Sequence, residues 1–180
     1  MYFLTSERVG FRHWRKDDIE LAIALWGDPE VTRFIDARTP LQIEQIRGKL
    51  ADELARQERF GFQYWPIFLR SNAEYVGCCG LREKQADDGI MEFGVHLRRC
   101  HWGKGLASEA ARTVIEHAFQ CCGARQLFAG HHPQNQASGR MLRKLGFRLI
   151  GHEFYPPTGL NHPSYLLSPD SAPRPMHANP

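Results

Sequence analysis

Two glycines one residue apart, Gly103 and Gly105, stand between a strand-like run and a long amphipathic run in the stretch HWGKGLASEAARTVIEHAF, residues 101–119. Residues 90–97 (IMEFGVHL) read as a strand. Residues 104–121 carry Ala107, Ala110, Val114, Ala118 and Cys121 along one apolar stripe that turns toward a core, and Gly123 is their C-terminal stop. A chain that leaves a strand, turns on residues without Cβ atoms and enters a helix gathers several main-chain N–H groups at the positive end of the helix dipole. That is a cradle for an anion. Arg98, Arg99 and Lys104 on the same loop add full charges and favour a pyrophosphate over a lone carboxylate. On spacing alone, glycines that only relieve crowding at a helix start fit equally well. The P-loop pattern G-x-x-x-x-G-K-[ST] is not present, and G-x-G-x-x-G fails at Ser108, which argues against nucleotide hydrolysis and hydride transfer.

Around this loop the chain alternates strand and helix signals. Residues 8–14 read as a strand, 16–27 and 41–59 as helices, and 62–70, 74–82 and 90–97 as three strands, with Pro66 weakening the first of these or marking a bulge. After the glycine-led helix come a strand at 125–131, a short helix at 136–145 closed by Gly146, and strands at 147–154 and 163–168. This order predicts one α/β domain, a mixed sheet flanked by helices with antiparallel hairpins before a crossover. With 180 residues, 42% of them hydrophobic, there is material for a single core. The domain is expected to span residues 1–168, and the proline-rich end, 169–180, to be a flexible tail.

The net charge of +3 comes from 23 basic and 20 acidic residues spread along the chain, without the clustered stripe of a nucleic-acid binder. No apolar run reaches membrane-spanning length and the start lacks a signal-peptide pattern, so a soluble, cytoplasmic protein is expected, with no membrane partner. Five cysteines, including the vicinal pairs Cys78–Cys79 and Cys121–Cys122, show no C-x-x-C spacing and read as reduced, mostly buried thiols; no metal is expected.

A second motif, HPQNQASGRMLRKLGF at 132–147, follows a strand and runs through a short helix into Gly146-Phe147. Together with Trp102-Gly103-Lys104-Gly105-Leu106-Ala107-Ser108-Glu109-Ala110 it resembles the GNAT superfamily of N-acetyltransferases, and within it the branch that includes ribosomal-protein N-terminal acetyltransferases. The resemblance implies a mostly antiparallel sheet of six to seven strands with about four helices, and a splay between its two central strands. It also implies acetyl-CoA as co-substrate: Arg98, Gly103, Lys104, Gly105, Leu106 and Ala107 at its pyrophosphate, Val95 to Leu97 along its pantetheine arm, and Asn135 touching that arm. Many members carry a tyrosine seven residues after the asparagine to protonate the departing thiolate; here that residue is Leu142, and Ser138 is the nearest hydroxyl. The loop position three before Gly103, often Gln or Arg in the family, is Cys100.

Acetyl transfer to an amine needs a neutral nucleophile, a polarised thioester carbonyl and a proton for the leaving sulfur. A peptide α-amine, with pKa about 7.7–8.0, meets the first need near neutrality far better than a lysine near 10.4. Glu92, mid-strand on the face opposite Met91, Phe93, Val95 and Leu97, is the candidate base, with a strand carboxylate paired to arginine or solvent as the alternative. The Val95 N–H is the candidate donor to the thioester oxygen, and Ser138 the candidate acid unless its work is capping. His96, His131 and His132 are expected to line the acceptor cleft, as is Tyr64 among the crowded aromatics Phe60, Phe62, Tyr64 and Trp65. The expected activity is transfer of an acetyl group to a protein N-terminus or small amine by direct attack, in a monomer or homodimer. A catalytically silent acyl-CoA-binding module and a small-molecule resistance or metabolic acetyltransferase are the alternatives.

Overall fold

The computed structural model describes residues 1–172. Its strands are β1 (Leu4–Thr5), β2 (Val9–Phe11), β3 (Tyr64–Leu69), β4 (Tyr75–Gln85), β5 (Ile90–Leu97), β6 (Gln126–Gly130), β7 (Arg148–Tyr155) and β8 (Leu160–Leu167). The α-helices are α1 (Ile19–Trp26), α2 (Pro29–Thr32), α3 (Ile43–Phe60), α4 (Leu106–Gln120) and α5 (Gln136–Lys144). All eight strands form one sheet in the order β1-β2-β3-β4-β5-β6-β8-β7. The only parallel neighbours among the described residues are β5 and β6, joined by the α4 crossover; every other pair is antiparallel.

The α/β class, the single domain and the mostly antiparallel sheet agree with the sequence reading, with one strand and one helix more than expected. The extra strand, β1, is two residues long and reads as nothing by itself. It exists because Leu4 and Thr5 lie opposite Phe11 and Gly10 of β2, and a Cβ on Gly10 would collide with the Tyr2 ring at 2.3 Å. The extra helix, α2, is a single turn with Pro29 at its start, capped by the Asp28 carboxylate, which accepts the Glu30 N–H at 2.9 Å. Pro66 lies in β3 opposite Cys78, and a register shift follows at Ile67/Phe68.

Alternation along the strands sends side chains to two cores on opposite faces of the sheet. Trp65, Ile67, Cys79, Leu81 and Phe93 pack with Ala110, Val114 and Ala118 of α4 and Leu142 of α5. Tyr64, Phe68 and Cys78 pack with Leu25 and Trp26 of α1 and Ile46 and Leu50 of α3. The cysteines are all free: Cys78 and Cys79 are buried as expected, but Cys100 and Cys121 are exposed and Cys122 is half-buried. A helical turn at Pro169–Ser171 follows β8, and Ala172 packs against the first core. Residues 173–180 of the expected tail lie outside the described residues.

Candidate active site

The pairing of β5 with β6 sets the site. These strands meet only at Ile90↔Gln126, Met91↔Leu127 and Glu92↔Phe128, while β5 runs on to Leu97. Beyond Glu92 the seam opens, and its edge lines a cleft of about 900 Å³ that extends from the glycine loop to the β7–β8 hairpin.

At one end is the loop. Gly103 (φ 74°) and Gly105 (φ 78°) are both left-handed, a conformation that costs a residue with a Cβ about 1–2 kcal/mol, and Gly105 is the N-cap of α4. The loop is pinned from outside. The Trp102 indole N–H donates to the Leu97 carbonyl at 2.8 Å, and an Arg8 guanidinium N–H to the Lys104 carbonyl at 3.1 Å. The Glu109 carboxylate accepts from the Arg8 main-chain N–H at 2.7 Å, the Arg8 Nε at 2.6 Å and the Ser6 hydroxyl at 2.7 Å. Burial alone would raise the Glu109 carboxyl; the bonds from Ser6 and Arg8 outweigh it and hold the group below its ordinary value. The helix start therefore faces the cleft with the charge of Glu109 already matched. No main-chain amide from Gly103 to Ser108 has an internal acceptor among the described residues.

At the middle of the cleft, Glu92 is half-buried and accepts a hydrogen bond from the Tyr64 hydroxyl at 3.0 Å. The Arg82 guanidinium lies 4.0 Å from the Tyr64 ring centroid and is held by Glu53, which is fully buried and also accepts the Tyr64 main-chain N–H at 2.8 Å. His96 accepts the Trp26 indole N–H at Nδ1, 3.3 Å away; burial, then the charges of Arg82 and Lys49, push its pKa down to about 3. It is thus a neutral imidazole at any working pH. At the far end, His132 stacks edge-on to His162 with ring centroids 5.6 Å apart, Tyr155 covers His162 at 4.7 Å and Phe34 covers His132 at 5.3 Å.

The sequence profile of the acetyltransferase (GNAT) domain family matches residues 8–148. The chain belongs to the GNAT acetyltransferase family. It is 29% identical over 153 residues to the uncharacterised N-acetyltransferase p20 of Bacillus licheniformis, covering 84% of this chain and 85% of that protein. It is 30% identical over 149 residues to the uncharacterised N-acetyltransferase YoaA of Bacillus subtilis (strain 168), covering 82% and 84%. The solved structure of RimL, a ribosomal L7/L12 α-N-protein acetyltransferase in complex with coenzyme A, matches with a TM-score of 0.77 at 18% identity, over 92% of this chain and 97% of that one. At that identity the likeness speaks to the fold. With these relatives the GNAT chain is an N-acetyltransferase.

The structure brings together most of the residues singled out in the sequence. Glu92, Val95, His96, Leu97, Gly103, Gly105, Leu106, Ala107, His131, Asn135, Ser138 and Tyr64 all line the one cleft of this GNAT domain, as does His132. Arg98 and Lys104 do not. The Arg98 side chain turns to the Tyr75 carbonyl, 3.0 Å away, and Lys104 is exposed and lines a separate surface hollow. Asn135 spends its side-chain oxygen capping α5, accepting the Ser138 N–H at 3.2 Å, so the Ser138 hydroxyl is not the cap. His131 bonds the His132 carbonyl through Nδ1 at 2.8 Å and lies 3.2 Å from the Tyr165 hydroxyl through Nε2.

Sequence reasoning passed over Arg8, Glu53, Arg82, Gly94 and His162. Of these only Gly94 carried a local signal, a glycine inside a strand on the face of Glu92 and His96. Glu74, Cys100 and His101 bring ligand-type atoms within 4.8 Å of one another, but Glu74 and Cys100 are exposed, and Glu74 lies 3.2 Å from His101 Nε2 as its partner when the ring is protonated.

Proposed function

We propose that this GNAT enzyme uses acetyl-CoA and transfers its acetyl group to a primary amine, a peptide N-terminus or a small weakly basic amine, by direct attack within a ternary complex. The observation that carries the reading is the run of unspent amides from Gly103 to Ser108 at the start of α4, beside a seam that opens after Glu92. Unsatisfied N–H groups at a helix N-terminus favour phosphate, and an open strand edge accepts an extended, amide-bearing arm. The residues present fit such a co-substrate: the loop amides hold its diphosphate, and the β5 edge from Val95 to Leu97 holds its arm.

The thioester supplies the activated acyl group; this chain orients it and moves protons. Val95 N–H donates to the thioester oxygen, where negative charge grows during attack. Glu92 takes the amine proton, directly or through one water. The half-buried aromatic side chains of Phe34 and Tyr155 give the acceptor an apolar wall. The likeness to ribosomal-protein N-terminal acetyltransferases supports a peptide N-terminus as one acceptor class.

A silent acyl-CoA-binding module has one observation in its favour: Leu142, where many family members carry the acid, is buried at 2% exposure and has no proton to give. Titration calorimetry with acetyl-CoA, followed by thiol release against a panel of N-terminal peptides and small amines, tests both readings. One-to-one binding with amine-dependent thiol release is expected. Binding without release leaves the module, and no binding removes both.

A further inference from the structure

Resting on the reading above, we propose that the Tyr64 hydroxyl is the general acid for the departing thiolate, and that Glu92 recharges it through the hydrogen bond the two share.

Tyr64 on β3 lies in register with Gly80 on β4, and Gly80 with Gly94 on β5. A Cβ at position 94 would stand 2.1 Å from the Tyr64 hydroxyl oxygen and 2.3 Å from Cζ. No real side chain tolerates that approach, so the glycine in β5 is a seat for the phenol. It places the hydroxyl beside the strand one residue before Val95, where the seam with β6 has already opened.

A catalytic acid must lose a proton to sulfur and regain one before the next turnover. The Tyr64 oxygen lies 3.0 Å from Glu92 Oε1, the group proposed to collect the amine proton. The ring is held by Arg82 over its face, with Arg82 in turn held by Glu53. Competing groups lack this arrangement. The Ser138 hydroxyl lines the cleft but has no hydrogen-bond partner among the described residues to resupply it. His96 stays neutral and its Nδ1 already accepts from Trp26.

The step balances. The amine nitrogen forms a bond to the acyl carbon, and the carbon–sulfur bond breaks with its electron pair going to sulfur. One amine proton passes to Glu92, the Tyr64 O–H proton passes to sulfur, and neutral Glu92 returns its proton to the phenolate. The net change is one proton moved from amine to thiol. Burial, then the Glu92 charge, raises the pKa of Tyr64 well above that of a free phenol. The hydroxyl is therefore protonated whenever substrate arrives, and it becomes a better donor just when Glu92 has been neutralised.

The test compares two acyl donors in the full-length protein: acetyl-CoA, and an acetyl thioester of a nitrothiophenol, whose thiolate leaves without a proton. Tyr64→Phe keeps the ring and its packing, and circular dichroism with a melting curve checks the fold. The expected result is a loss in kcat of about 10²–10³-fold with acetyl-CoA. KM for acetyl-CoA stays within about twofold, because an acid acts in the transition state rather than in binding. With the aromatic thioester the loss shrinks to under about tenfold, as removing the need for a proton removes most of the acid's contribution. Glu92→Gln, which loses the base, is impaired on both donors. An equal loss on both donors for Tyr64→Phe would overturn the proposal in favour of a positioning role. So would a donor-dependent loss in Ser138→Ala with Tyr64→Phe active. If the unsubstituted protein binds acetyl-CoA but releases no thiol with any amine, the acetyl-transfer reading falls first and takes this assignment with it.

Discussion

At residues 103–108 the cleft offers main-chain amides without internal partners, whereas toward its other end the charged side chains come already paired: Glu30 with Arg33 at 3.3 Å, Lys84 with Glu153 at 2.5 Å, and Arg82 with Glu53. One end presents backbone held in place by distant side chains. The other is a side-chain surface whose charges mostly cancel, leaving aromatic faces and the Glu92–Tyr64 pair lining the cleft. Backbone recognition tolerates change in the side chains it does not use. On the proposed reading, the second end is where acceptors would be told apart.

The most severe challenge to that contrast is Glu53→Ala. It strands half-buried Arg82 without its fully buried carboxylate partner and leaves the Tyr64 N–H unpaired, and breaking such a pair costs about 3–5 kcal/mol. Chemical denaturation should show that loss, while calorimetry should leave acetyl-CoA affinity within about twofold, since no backbone amide of the loop is touched. A large loss of affinity would show that the two ends are not separate.

Gly105→Val is the complementary experiment. Space is not the obstacle, because a Cβ there meets nothing nearer than the Arg8 guanidinium at 3.5 Å; the left-handed φ of 78° is. A β-branched residue forces the loop out of this conformation, and acetyl-CoA affinity should fall about 30-fold, equivalent to about 2 kcal/mol. Acceptor preference measured at saturating donor should not change.

Acid pH bears on the far end through His162. Burial, then the neighbouring His132 and His131, lowers His162 from 6.5 to about 4. The unfolded chain takes up this proton first as pH falls through 6.5, so the contribution of neutral His162 to stability is complete above pH 6.5 and lost on the way down to about 4. Melting curves from pH 7.5 to 4.5 should show the midpoint falling, with a smaller fall in His162→Asn. Equal falls would mean that other groups carry the dependence.

The smallest effect belongs to Lys84→Ala. Its pair with Glu153 is partly exposed, so stability should change by no more than about 1 kcal/mol. Acceptor KM values should nonetheless reorder among amines of different charge, because the change uncovers Glu153 in the cleft. An unchanged order across the panel would place acceptor choice elsewhere.

What could be read without coordinates followed the same division. Gly103 and Gly105 before an amphipathic run announced a turn and a helix start, because those properties belong to a few consecutive residues. The strand at 90–97 and its alternation placed Glu92 opposite Phe93 and Leu97, which the two-sided core bears out. Charges were harder. Arg98 and Lys104 sit in the right loop, yet the cleft does not use their side chains, since sequence position fixes where a long side chain starts and not where it ends.

Local order, then, was written in the chain itself: the helix stripe, the glycine turn, the alternation of strands and the family pattern all rest on backbone preferences over a few residues. Tertiary structure alone decided that Arg8 reaches across the fold to clamp Glu109, that Glu53 on α3 holds Arg82 on β4, and that the Tyr64 phenol crosses a strand to rest on Gly94. Each of those is a meeting of residues far apart in sequence, and its geometry exists only once the sheet has set their register and the buried environment has made an unpaired charge too costly to leave.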